Sequence, residues 1–108
     1  MVNSLKSKCT SAMNSIEELL KQKPELKQPL TECWAKYDAS IMSVAILDAI
    51  EAATNGDAGL GEESMDVVTT SAHQCDDGFK PSPSPLVDAN RIVCDVAAVV
   101  EGMFTVMR

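Results

Sequence analysis

His73-Gln74-Cys75-Asp76-Asp77-Gly78-Phe79 runs directly into Lys80-Pro81-Ser82-Pro83-Ser84-Pro85-Leu86. A helical pattern leads into Cys75, Gly78 marks its end, and three prolines keep the chain out of helix until Leu86. A cysteine at a helix end, beside an enforced stop, can anchor something earlier in the chain. The candidate is Cys33, just inside the start of the preceding long apolar helix.

Working outward, 108 residues allow one domain, 1–108. Hydrophobic residues make up 45% and aromatics only 4%, so Ala, Val, Ile, Leu and Met carry the core, which suits helix-on-helix packing. The net charge of -7 disfavours nucleic acid and anionic membrane surfaces and suits a basic protein partner. No apolar run reaches the roughly 18 residues of a membrane span. The segment from Met1 to Lys6 shows no apolar core of a secretory signal, whereas four cysteines hint at disulfides and an oxidising compartment.

Four helical patterns follow in order. Leu5, Cys9, Ala12, Met13, Ile16, Leu19 and Leu20 mark an amphipathic helix from about Val2 to Lys21, stopped by Pro24. The second pattern starts at Pro29 and ends at Asn55-Gly56. It carries two apolar stripes, Leu30/Cys33/Tyr37/Ile41/Val44 and Ala35/Ala39/Met42/Ile46/Ala49/Ile50/Ala53, which predict a central helix packed on two sides. Trp34 reads as an aromatic filler near its start. Gly56, Gly59 and Gly61 are spaced as a flexible loop, after which Glu62-Glu63 open a third helix with Met65, Val68, Ala72, Cys75 and Phe79 on one face. The fourth, from about Pro85 to Met107, shows a broad apolar face from Leu86 through Ile92, Val93, Val96, Ala97, Val99, Val100, Met103, Phe104 and Met107. Short connections make this an all-α, antiparallel four-helix bundle.

The residues offer little for catalysis. His73, the single histidine, is two positions from Cys75, so the two point to different sides of one helix and form no dyad. The cysteines lack zinc spacing, and adjacent acids such as Asp76-Asp77 and Glu62-Glu63 do not face each other across a cleft. No enzyme, metal or cofactor is expected. Cys33 and Cys75 fall at one end of an antiparallel pair, where a bridge is permitted. Cys9 and Cys94 lie on apolar faces and read as buried free thiols, with a second bridge open if helices one and four are neighbours.

Pro29-Leu30-x-x-Cys33-x-x-x-Tyr37, Asp48-Ala49-Ile50-Glu51-Ala52, Asn55-Gly56-Asp57, Cys75-Asp76-Asp77-Gly78-Phe79 and Ser84-Pro85-Leu86 together resemble the plant invertase and pectin methylesterase inhibitor family, nearest its invertase-inhibitor-like branch. The resemblance implies a four-helix bundle with a Cys33–Cys75 disulfide between helices two and three. It implies a secreted, apoplastic protein that is not an enzyme and occludes the cleft of a carbohydrate-active enzyme. The candidate targets are pectin methylesterase and acid invertase. Against the family pattern the chain lacks the N-terminal helical hairpin, as an N-terminally truncated member would. Invertase-inhibiting relatives carry Pro-Lys-Phe after helix two; here Asp57 is followed by Ala58, Gly59 and Leu60 at those positions. Without the cation and the aromatic, the alternative is a non-inhibitory, allergen-like helical interaction module. Pectin methylesterase inhibition would use the surfaces of helices two and three.

Overall fold

Leu5, Cys9, Ala12 and Ile16 recur every three or four residues, and helix one, Val2–Gln22, buries that stripe. Pro24 ends it, and a single 3-10 turn, Pro24–Leu26, leads into helix two. The structure, a computed structural model, describes residues 2–80 and 82–107, so Pro81 of the proline run lies outside the described residues, as do Met1 and Arg108. Helix two is one rod over residues 27–55, helix three is Ala58–Asp77, and helix four is Val87–Val106. Among the described residues there is no strand. Helices one and three each pack against both two and four. The result is the expected all-α antiparallel bundle, measuring 46 × 21 × 17 Å.

Helix two begins at Lys27, two residues before the expected Pro29. Pro29 is then the third helical residue, where an N–H would have no intrahelical partner in any case. The middle of the rod, Lys36–Ala45, is wound as a π-helix. Tyr37, Ile41, Ala45 and Ala49 are all buried although they are four apart. At about 3.6 residues per turn, such a row drifts by roughly 40° per step around an α-helix. The wider π turn rotates each residue through a smaller angle, which opposes that drift for Tyr37, Ile41 and Ala45, the members of the row inside it. Ser43 fits the same winding, donating to the Asp38 carbonyl five residues back at 2.7 Å.

Both long apolar readings need correction. Val44, Ala35, Ala39, Ile50 and Ala53 of helix two are exposed, and Met42 is half-buried. Of the second stripe only Ile46 and Ala49 are buried. Each helix in a ring of four has two neighbours, so a second row at this position meets water. Helix four likewise buries one stripe, Val93, Ala97, Val100 and Phe104, continuing from Leu86 in the turn before it. Ile92, Val99, Met103 and Met107 face out, with Val99 60% exposed.

Charge is distributed unevenly along the rods. Residues 37–79, the last two-thirds of helix two and all of helix three, carry nine acidic side chains and no Lys or Arg. On helix four, Glu101 faces Asp66 and Glu62 of helix three, and Thr105 donates to Glu62 at 3.1 Å. Desolvation first, then these two carboxylates, raises the Glu101 pKa. A carboxyl whose folded pKa is raised binds its proton more tightly in the folded state. Its contribution is therefore complete below its ordinary value, about 4.3, and is lost as pH rises through the raised value. The urea midpoint should fall across that interval, and Glu101→Gln should flatten the fall. An equally steep fall in the variant would remove Glu101 as its source.

Candidate functional site

Two features bracket helix three, one at each end. At its C-terminal end the Cys33–Cys75 disulfide ties helix two to helix three, with 4.7 Å between the Cα atoms. Helix three ends at Asp77, and Gly78 follows in ordinary right-handed geometry, its N–H reaching the Gln74 and Cys75 carbonyls. Phe79 and Leu86, both buried, pin the two ends of the proline-rich turn to the core.

Beside the bridge lies a polar knot that the sequence reading missed. Asn90 sits in the buried register of helix four, four residues after Leu86 and three before Val93, and is only 2% exposed. The Tyr37 hydroxyl donates to its Oδ1. Asn90 Nδ2 donates to Asp76 Oδ1 at 2.7 Å and lies 3.3 Å from Cys75 Sγ. Helices two, three and four therefore meet at one amide whose donors and acceptor are all used. Burial, followed by the neighbouring acidic groups Cys9, Cys94 and Asp76, pushes the Tyr37 hydroxyl pKa up, so it stays a donor. Asn90→Ala should cost about 1–3 kcal/mol by leaving Tyr37 unsatisfied. Asn90→Leu with Tyr37→Phe should recover most of that loss in urea denaturation; a double variant as weak as the single would show that packing dominates.

The remaining cysteines stay unbridged. Helices one and four are neighbours. Cys9 nevertheless is a buried free thiol, with its pKa pushed up to about 12 by burial. Cys94, half-buried, lines a shallow cleft of about 230 Å³ between helices three and four with His73, Asp76, Asn90 and Arg91. Burial and then Asp76 and Asp95 raise its pKa, which keeps it protonated and a poor nucleophile. His73 itself is exposed. Among the described residues no group of His, Cys, Asp and Glu is arranged to hold a metal.

At the other end, helices two and three join through Gly56 and Asp57. Gly56 takes the left-handed conformation, φ 70°, that the helix stop requires. Helix three then starts at Ala58, four residues before the expected Glu62. The segment read as a flexible loop is its first turn. Asp57 caps it, accepting the Leu60 N–H at 3.0 Å through Oδ1. Gly61 is helical despite its low propensity because the Phe104 ring packs against its Cα; a Cβ there would lie 2.3 Å from the ring. The corner is consequently tight and shows little. The Asp57 carboxylate is tied to the backbone, Ala58 is buried, Gly59 has no side chain, and Leu60 packs partly against the core.

No protein-family model matches the chain. Over 104 residues, 96% of its length, it is 31% identical to the cell wall / vacuolar inhibitor of fructosidase 1 of Arabidopsis thaliana. Over nearly its whole length the chain is thus similar to a plant invertase inhibitor. It spans about half, 50%, of that relative's length. The corner at 57–60 carries neither a cation nor an aromatic.

Proposed function

We propose that this chain is a proteinaceous inhibitor module and not an enzyme, acting on a plant carbohydrate-active enzyme of the acid invertase class by occluding its active-site cleft. The alignment with an inhibitor of fructosidase, over nearly the whole chain, carries the reading. The Cys33–Cys75 bridge supports an oxidising location such as the cell wall or vacuole, where that relative's name places it. On this reading residues 1–108 act as one domain, and contact would come from Asp57, Ala58, Gly59 and Leu60 with the adjoining bundle surface. Pectin methylesterase is the second candidate target, engaged through helices two and three.

The bare corner favours one rival, a non-inhibitory helical interaction module of the same family. Deeply buried aromatic and cationic anchors carry most of the energy at such interfaces, and Ala58-Gly59-Leu60 supplies none. The backbone nevertheless accepts the family's Pro-Lys-Phe. Ala58 is the first helical residue, where proline fits. A Cβ on Gly59 meets only Asp57 Oδ1 at 3.7 Å.

The oxidised chain should inhibit acid invertase weakly, and Ala58→Pro/Gly59→Lys/Leu60→Phe should strengthen inhibition by about tenfold or more, the worth of one good anchor. Titration against purified acid invertase and pectin methylesterase measures both. Failure of wild type and triple variant alike, on both enzymes, would leave the interaction-module reading.

A further inference from the structure

The turn between helices three and four, from Gly78 to Leu86, presents a single exposed hydroxyl among the described residues. Among the described residues, Ser82 and Ser84 are the only Ser or Thr side chains outside the helices. The helical ones are held on rods whose backbone is already committed; Thr10, Ser15, Thr54, Ser64, Thr69 and Thr105 also donate to carbonyls four residues back. Ser84 is half-buried, and its Oγ accepts the Leu86 N–H at 3.1 Å. Ser82 is exposed.

The alternation Ser82-Pro83-Ser84-Pro85 keeps this segment out of helix, because each proline fixes its own φ and pushes the preceding residue out of helical geometry, and the Ser82 N–H closes a turn on the Phe79 carbonyl at 2.9 Å. Buried Phe79 and Leu86 hold its ends, and Ser82, Pro83 and Pro85 between them are exposed. An exposed, non-helical serine in a proline-rich run is the form in which chains are offered to O-modifying transferases. We infer that Ser82 is an O-glycosylation site. Its Oγ attacks C1 of a sugar carried on a nucleoside diphosphate. The C1–Oγ bond forms as the C1–phosphate bond breaks, the diphosphate leaves, and the hydroxyl proton passes to the transferase.

Two observations favour a sugar over a phosphate. A chain with a Cys33–Cys75 disulfide matures where secretory glycosyltransferases work, a point that rests on the compartment reading above. The surroundings are also acidic: Asp76, Asp77 and Asp88 flank the turn, and Lys80 is already paired with Asp77 at 3.1 Å. Another dianion would be repelled there, whereas a neutral glycan would not. The turn lies at the opposite end of helix three from residues 57–60, about 30 Å away for a helix of twenty residues. A glycan there leaves that corner open.

The test is peptide mapping of the full chain recovered from plant cells after secretion, with electron-transfer fragmentation of the segment containing Ser82. The expected result is a hexose or pentose increment on Ser82, lost completely in Ser82→Ala and kept in Ser84→Ala. The same map reads the bridge. A bridged chain with bare Ser82 overturns the inference and leaves the compartment reading standing; a reduced chain with bare Ser82 overturns both. Phosphate on Ser82, or a sugar retained in Ser82→Ala, also overturns it.

Discussion

Cys33→Ala/Cys75→Ala should lower the stability of the bundle by about 4 kcal/mol. The bridge closes a loop with a sequence separation of 42, and the chain-entropy relation gives about 4 kcal/mol for a loop of that length. The sulfur contact to Asn90 Nδ2 is lost as well. For a domain of this size the loss corresponds to a melting temperature roughly 15–20 °C lower. Circular dichroism melts of the oxidised chain, the chain under a phosphine reductant and the double variant measure it. The two bridge-free samples should agree with each other. If all three melt within a few degrees, the polar knot alone holds that end and the bridge is energetically idle.

The second large effect is expected where helix three meets helix four. Phe104 is fully buried, and Phe104→Ala should cost about 3–5 kcal/mol, the range for a large aromatic removed from a core. Gly61→Val fails for the opposite reason. Its Cβ would fall 2.3–2.5 Å from three ring atoms, so either the ring or the helix must move, and overpacking of this kind costs about 1–3 kcal/mol, occasionally more. The two changes should compensate, since the valine occupies space that the ring vacates. In a double-mutant cycle by urea denaturation, the pair should be more stable than the sum of the singles predicts by 1 kcal/mol or more. Additive losses would mean that Gly61 tolerates a side chain by moving the helix instead of the ring.

This pair also shows what could be read in advance. Helix one and the stop at Gly56 were legible because each depends on local geometry, a 3.6-residue stripe and a left-handed residue. The Cys33–Cys75 bridge, across a separation of 42, was only permitted by the helix pairing and implied by the family resemblance. The first turn of helix three was not. Two glycines in four residues argue for a loop, and only the Asp57 cap and the distant Phe104 ring reverse that preference. Asn90 was legible in principle, since it stands in register with Leu86, Val93, Ala97, Val100 and Phe104. Marking apolar residues alone hides a buried amide and overstates the buried face of helix four, as Ile92, Val99 and Met103 show. The π winding of helix two answers to a row of buried residues spaced by four, which an ideal α period would have sent drifting around the rod.

The corner at 57–60 divides in the same way. Its residue types were plain from sequence: no cation, no aromatic. Its rigidity was not, because the cap and the Gly61–Phe104 contact appear only once the chain is folded.

The uneven placement of charge gives the molecule a sense of direction. The net charge of -7 arises almost entirely from residues 37–79, while the remaining rods nearly balance. Such a body carries an electric moment across its short axis. Near a positively charged surface it experiences a torque before any atom touches, turning the hairpin of helices two and three toward that surface. The torque weakens as salt shortens the screening length, about 10 Å at 0.1 M. Approach would thus be oriented in dilute sap and closer to random in brine, with every contact surface unchanged.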